Sequence, residues 1–256
     1  MSSIKRQLSK KEFSMQRTYA TWNTQGYSGE KWSEIKKLTE RADVVFIQEA
    51  GFLADAYPAN NASLENTRDD LYVYGWSGTK TDGYANNRVS LAIVSKNPAD
   101  EVGFVAGDTR GLGYMWIGNQ LFGTWHENRG QGGLSGCLNR LRMSRYGDDK
   151  TRLLDENTIC IVGGDFNTEN TPMVPIGSKS QQISGLQTSS YNFLHRLTKT
   201  HKNGKNLDRI YVSIGLTMVH HWAEKNRFSD HNPVFATIVS NPAKLNCLDF
   251  ARVKYG

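Results

Sequence analysis

Apolar and polar positions along the chain fall into short runs separated by Gly-, Asn- and Asp-rich stretches, and the clearest run is 158–167, TICIVGGDFN. Ile159, Ile161 and Val162 predict a buried strand, and the pair Gly163-Gly164 predicts a sharp backbone turn where it ends. Asp165 and Asn167 then stand at the carboxyl end of a strand, where loops leaving a rigid sheet are open to a ligand. Comparable runs predict strands over 17–23, 42–47, 71–76, 88–94, 207–212 and 234–239, and a pair over 114–117 and 121–126 around Gly118-Asn119. Trp32, Ile35 and Leu38 recur at helical spacing behind Ser28, a candidate cap; Leu134, Leu138 and Leu141 predict a second helix, and 191–197 a third. The stretches 52–70 and 168–184 show no period and read as irregular chain and a long loop.

Nearly every predicted strand meets a polar side chain at one end: Asn23, Glu49, Arg88, His126, Asp165 with Asn167, Asp208, then Asp230-His231. Each alone has an ordinary explanation. Asn23 and Asp208 suit turn caps, Glu49 suits the solvated start of a loop, and Arg88 suits a surface ion pair as well as a phosphate clamp. His231 stands out because the turn Asp-His-Asn-Pro fixes two polar groups before a strand in a loop locked by proline. Arg140, Arg142 and Arg145 form a basic stripe on the second helix, compatible with phosphate contacts and equally with a wet helix face.

Composition narrows the classes. Charged residues at 22% and hydrophobic ones at 38% argue against wholesale disorder, and 256 residues suffice for a sizeable core. Lys and Arg exceed Asp and Glu by 31 to 25, a net charge of +6 that leans mildly toward a polyanion such as nucleic acid or an anionic headgroup. No apolar run is long enough to span a bilayer. Residues 1–16 read as a basic arm without the apolar centre of a secretory leader, 17–240 as a single domain, and 241–256 as a tail. Cys137, Cys160 and Cys247 are too few for a disulfide scaffold or a zinc site; Cys160 reads as a core thiol, and Cys247 as a free thiol or an intermolecular disulfide.

In order, TWN, QEA, the histidine of TWHE, GGDFN, LDRIYV and SDHNPV resemble the endonuclease/exonuclease/phosphatase superfamily, which includes pancreatic-type deoxyribonuclease. ANNRVSLAIVSKNPADEV, with EKW and VVFIQEAG, is similar to the active B subunits of cytolethal distending toxins. The resemblance covers 17–239 and implies an α/β four-layer sandwich: two packed, mostly antiparallel β-sheets flanked by helices. It also implies phosphate ester hydrolysis with a divalent metal, normally Mg²⁺. On this reading His231 is the general base, Asp208 orients it, and His126 is a cationic stabiliser or general acid. Asp165 positions the nucleophile, Asn167 and Arg88 bind phosphate oxygens, Glu49 and Asp230 are metal ligands, and Asn23 supports Glu49 or the metal.

The implied partners are DNA or a phosphoinositide, and toxin delivery subunits; a toxin-like protein would be secreted and act in the target-cell nucleus. Three departures stand out. The stretch 51–71 looks short and lacks the toxins' Trp-Asn-Leu-Gly, which leaves Glu65 as the candidate acidic partner of His126. Glu127-Asn128-Arg129 is expected to place extra charge beside the scissile phosphate, and residues 1–16, which do not read as a leader, leave the delivery route open. A third reading, a decayed subunit that only binds polyanions, is opposed by Glu49, Asp165, Asn167 and His231 all being present.

Overall fold

Strand alternation decides the architecture. A computed structural model describes residues 15–26, 31–51, 63–77, 89–106, 111–127, 133–143, 154, 158–169, 173–178, 181–187, 199–213 and 216–240. In chain order the first five strands are β1 (Met15–Asn23), β2 (Val44–Gly51), β3 (Ser63–Arg68), β4 (Leu71–Ser77) and β5 (Val89–Ser95). The next six are β6 (Glu101–Ala106), β7 (Gly111–Ile117), β8 (Gln120–His126), β9 (Ile159–Asp165), β10 (Met173–Ser178) and β11 (Gln181–Gln187). Then follow β12 (Asp208–Ser213), β13 (Thr217–Ala223) and β14 (Val234–Ser240), with helices α1 (Trp32–Arg41) and α2 (Gly133–Met143). They form two seven-stranded sheets, β13-β14-β1-β2-β5-β4-β3 and β10-β11-β12-β9-β8-β7-β6. Among the described strands, β1 with β2 and β8 with β9 are parallel and the other neighbours antiparallel.

Phe46, Tyr74, Ile93, Met115, Phe122, Ile161 and Ile210 fill the space between the sheets. The alternate residues of the same strands turn outward. Trp22, Val45 and Ile47 meet Trp32, Ile35 and Leu38 of α1, while Leu121, Trp125, Val162 and Tyr211 meet Leu134, Leu138 and Leu141 of α2. The result is the four-layer sandwich that the resemblance implies. Each fully buried large apolar side chain contributes roughly 1.5–3 kcal/mol, so the inter-sheet layer is what clamps the two sheets together.

The glycine pair behaves differently from the expectation. Gly163 and Gly164 lie inside β9, and the chain does not turn there. A Cβ on Gly163 would sit 2.2 Å from Phe46 Cδ2 of the facing sheet, and one on Gly164 would sit 2.2 Å from the Trp125 carbonyl oxygen. Close approach, not turning, is what these positions require. The stretch 52–70 also contains strand β3, the loop assigned to 168–184 contains β10 and the start of β11, and β6 and β13 were unmarked by period. Helix α1 has Lys31 at its N-cap with no capping side chain. Ser28, Arg88, Arg145, the helix expected over 191–197, and Cys247 lie outside the described residues, as do 1–14 and 241–256; Cys137 and Cys160 are free, buried thiols.

His221 on β13 makes the fold acid-sensitive. Burial, and after it the charge of Arg209, pushes its imidazole down to about 4. The unfolded chain therefore takes up a proton near pH 6.5 that the folded chain refuses until about pH 4, so stability present above 6.5 is lost as pH falls through this window. At pH 4 the loss is on the order of 3 kcal/mol. His221→Gln is expected to flatten the acid limb of Tm against pH; a limb identical to the parent's would refute it.

Candidate active site

Strand directions bring the polar ends together. The carboxyl ends of β1, β2, β8 and β9 and the amino ends of β12 and β14 share one edge of the sandwich, with His126, Asp165 and Asp208 side by side in register. Below them a buried relay joins the sheets: Thr21 Oγ1 donates to Gln48 Oε1 at 3.2 Å, Gln48 Nε2 to Thr124 Oγ1 at 3.1 Å, and Thr124 Oγ1 to the Ile47 carbonyl at 3.1 Å. This satisfied polar layer separates the site from the apolar core and fixes the sheets' relative position beneath it.

His231 is the most tightly held group. Its Nδ1 lies 2.8 and 3.0 Å from the two oxygens of Asp208, so Nδ1 carries the proton and Nε2 is left as the basic nitrogen. Trp22 Nε1 donates to the His231 carbonyl at 3.0 Å, and the His231 N–H donates to Ser229 Oγ at 3.1 Å. Thr200 Oγ1 accepts the N–H groups of Leu207 and Asp208 at 2.7 and 3.1 Å and so fixes the start of β12. Nε2 faces Asp165 Oδ2 at 3.6 Å and Asp230 Oδ1 at 3.7 Å. Burial lowers the affinity of this imidazole for a proton, but Asp208, then Asp165 and Asp230, outweigh it and raise the pKa to about 9.

A second group forms around Asn23, whose Nδ2 donates to Glu49 Oε1 and Asp165 Oδ2, both at 3.1 Å. His126 Nε2 lies 3.6 Å from each of the same two oxygens. Burial, and then the neighbouring Asp208, raises the Asp165 carboxyl to about 7, against the opposing pull of His231, the Asn167 N–H and Asn23. Glu49 reaches the cleft because β2 carries an irregularity between Gln48 and Gly51 opposite Leu91 and Val89, and Glu49 itself has φ 47°. The extra residue breaks the alternation that would otherwise turn Glu49 toward the α1 layer. Asn167 has φ 48°; its N–H donates to Asp165 Oδ1 at 2.9 Å and its Nδ2 to the Glu127 carbonyl at 2.8 Å.

Asn23, Glu49, His126, Asp165, Asn167, Asp208, Asp230 and His231 are thus gathered at one edge. Asn23 supports both carboxylates through Nδ2, and its Oδ1 accepts the Gln25 N–H at 3.0 Å. Among the described residues, Glu49 and Asp165 face His126; Glu65, the expected partner, lies on β3 at the far edge of its sheet, and its side chain is outside the described residues. The Glu127 side chain points away from the cleft: its Oε2 accepts Trp125 Nε1 at 2.9 Å and its Oε1 accepts the Gly133 N–H at the start of α2 at 3.4 Å. The Glu127 part of the expected extra charge is therefore turned to the helix end, while Asn128 and Arg129 lie outside the described residues. The sequence reading also missed Gln25, whose Oε1 accepts the Asp230 N–H at 3.1 Å, and His201, 3.3 Å from Asp230.

The donor set suits a hard divalent cation. Four carboxylates, Glu49, Asp165, Asp208 and Asp230, crowd two imidazoles, and Asp230 Oδ1 is sealed from solvent with no hydrogen-bond donor among the described residues. Oxygen-rich sites with excess negative charge are what Mg²⁺ takes. Asp165, Asp208 and His231 also lie close enough together to share an ion, as do His201, Asp230 and His231.

Comparison with known proteins gives the family. Residues 20–231 match the Endonuclease/Exonuclease/phosphatase family. A structure of CdtB, the biologically active subunit of cytolethal distending toxin, superposes with TM-score 0.60 at 19% identity, covering 88% of this chain and 98% of that one. The Haemophilus ducreyi cytolethal distending toxin structure gives 0.54 at 21%, covering 88% and 98%. The Neisseria 3′ phosphatase NExo bound to product DNA hairpin gives 0.52 at 14%, covering 86% and 98%. No curated protein sequence matches. With its fold shared and most of its length matched, the chain belongs to the endonuclease/exonuclease/phosphatase family, hydrolases of phosphate ester bonds.

Proposed function

We propose that the protein is a divalent-metal-dependent endodeoxyribonuclease that nicks DNA, acting as the cleaving subunit of a genotoxin. The observation that carries the nuclease reading is the buried Asp208–His231 pair, 2.8 Å apart, with Nε2 turned toward the carboxylate-lined cleft. Cleaving a phosphodiester requires a base for water, donors for the phosphate oxygens and neutralisation of charge. In its neutral form His231 takes the proton from water at Nε2, and Asp208 stabilises the imidazolium that forms. His126 and the remaining Asn167 amide hydrogen face the phosphate oxygens, while Asn23 holds Glu49 and Asp165 in place. Glu49 and Asp230 would hold Mg²⁺, which when bound offsets the phosphate's charge, stabilises the leaving oxygen and opposes the carboxylate field on His231.

A net charge of +6 supports DNA as the substrate, because most contacts of such an enzyme are to backbone phosphates. The toxin assignment is supported by the runs ANNRVSLAIVSKNPADEV, EKW and VVFIQEAG, which are similar to the active B subunits of cytolethal distending toxins. Supercoiled plasmid incubated with the full chain is expected to become nicked circles in Mg²⁺ and to stay supercoiled in chelator. Inert plasmid together with phosphate release from phosphoinositide vesicles would replace this reading with a lipid phosphatase. Silence on both substrates would leave a polyanion-binding subunit.

A further inference from the structure

His201, a side chain outside the expected set, lies against the Asp230 carboxylate and the base at once. His201 precedes β12 in a short bridge that pairs antiparallel with His231 itself. The two imidazoles meet edge to face, centroids 4.5 Å apart at 85°, so His201 walls one side of the base. Asp230 is pinned by its backbone at both ends: its N–H donates to Gln25 Oε1 at 3.1 Å, and its carbonyl accepts the Lys202 N–H at 2.8 Å. What the backbone leaves undetermined is the carboxylate's rotation.

The hydrogen bond that His201 Nδ1 accepts settles which ring nitrogen carries the proton. Nδ1 accepts the Asn203 N–H at 3.0 Å, so the proton of the neutral ring sits on Nε2. Nε2 lies 3.3 Å from Asp230 Oδ2. The other oxygen, Oδ1, is buried, receives no hydrogen bond among the described residues, and lies 3.7 Å from His231 Nε2. A buried carboxylate oxygen without a donor is costly and calls for a role.

We propose that His201 is a positioning residue: its Nε2, 3.3 Å from Oδ2 of Asp230, holds that oxygen by electrostatic attraction and so keeps Oδ1 turned inward beside His231 Nε2. This rests on reading Asp230 as a ligand of the divalent cation. A competing reading, a zinc site made by His201, Asp230 and His231, is disfavoured by the same hydrogen bond. Coordination through Nε2 needs the proton on Nδ1, where the Asn203 N–H already points.

The test uses the full chain and measures Mg²⁺ binding by calorimetry beside plasmid nicking. His201→Phe keeps a ring against His231 without the donor, and His201→Gln restores a donor. His201→Phe is expected to weaken Mg²⁺ binding by about tenfold, the usual scale for losing a group that orients a ligand, and His201→Gln to recover most of it. Long-range ¹H–¹⁵N spectra of the parent should show His201 protonated at Nε2 alone, a result independent of how the variants fold. The proposal is overturned by a proton on Nδ1, by zinc binding that His201→Phe removes, by equal weakening in both variants, or by unchanged Mg²⁺ affinity in His201→Phe. A parent that binds no Mg²⁺ overturns it as well. A parent that binds Mg²⁺ but leaves plasmid intact fails the nuclease reading alone, because calorimetry and the spectra still decide His201.

Discussion

His231→Gln is expected to lower plasmid nicking by about a thousandfold, within the range that a positioned general base contributes. Glutamine has similar length and polarity but cannot take a proton from water near neutral pH. The backbone around it stays anchored, since the His231 carbonyl accepts both Trp22 Nε1 at 3.0 Å and Asn226 Nδ2 at 2.5 Å. Misfolding is therefore the weaker explanation for a loss, and Tm near the parent's would exclude it. Asp208→Asn should fall in the same direction through a different cause. An amide cannot stabilise the imidazolium as a carboxylate does, and it need not keep the Nδ1 proton in place. Single-turnover nicking at fixed Mg²⁺ measures both, and His231→Gln cleaving at a tenth of the parent rate would remove His231 from the role of base.

Strand ends were legible because alternation and chemistry coincide there. Ile159, Ile161 and Val162 marked β9, and Asp165 at its end could be read directly as a displayed carboxylate. The same alternation explains the misreading of Glu127. It follows His126 in sequence and so faces the opposite side of the strand, toward Trp125 and α2. Strands at or next to a sheet edge were less visible. β3 is SLENTR and β11 is QQISGLQ, polar sequences with too little apolar pattern to announce pairing. In β13, TMVHHWA, two adjacent histidines hide the alternation, although His221 is buried and His220 exposed.

Contacts between distant segments were the least legible. His201 meets His231 across thirty residues through a bridge whose sequence, THKNGKN, reads only as a polar loop. Gly163-Gly164 carried a correct signal with the wrong meaning. Glycine reports that something must come close, and only the fold tells whether that is a turn or the Phe46 ring of another sheet.

Glu49→Gln is expected to remove most of the stabilisation that Mg²⁺ gives the folded protein and about a hundredfold of the nicking rate at fixed Mg²⁺. The substitution is nearly isosteric, so the argument turns on charge. Glu49 is held in the left-handed region at φ 47°, a conformation a non-glycine residue adopts only when its surroundings impose it. Its carbonyl accepts the Gly26 N–H at 2.6 Å and Thr24 Oγ1 at 3.0 Å, and Gly51, two residues on, lets the Gly26 carbonyl approach to within 1.9 Å of where a Cβ would stand. Those contacts belong to the backbone and survive the exchange, as does an oxygen to accept Asn23 Nδ2. What disappears is one negative charge among the oxygens offered to the cation. With Mg²⁺ at a hundred times the parent's Kd, binding stabilises the fold by about 2.7 kcal/mol; a hundredfold weaker site leaves about 0.4 kcal/mol. Thermal unfolding with Mg²⁺ and with chelator reads this difference without any substrate. A Glu49→Gln protein whose Tm rises with Mg²⁺ as the parent's does would move the cation away from Glu49, to the carboxylates around His231.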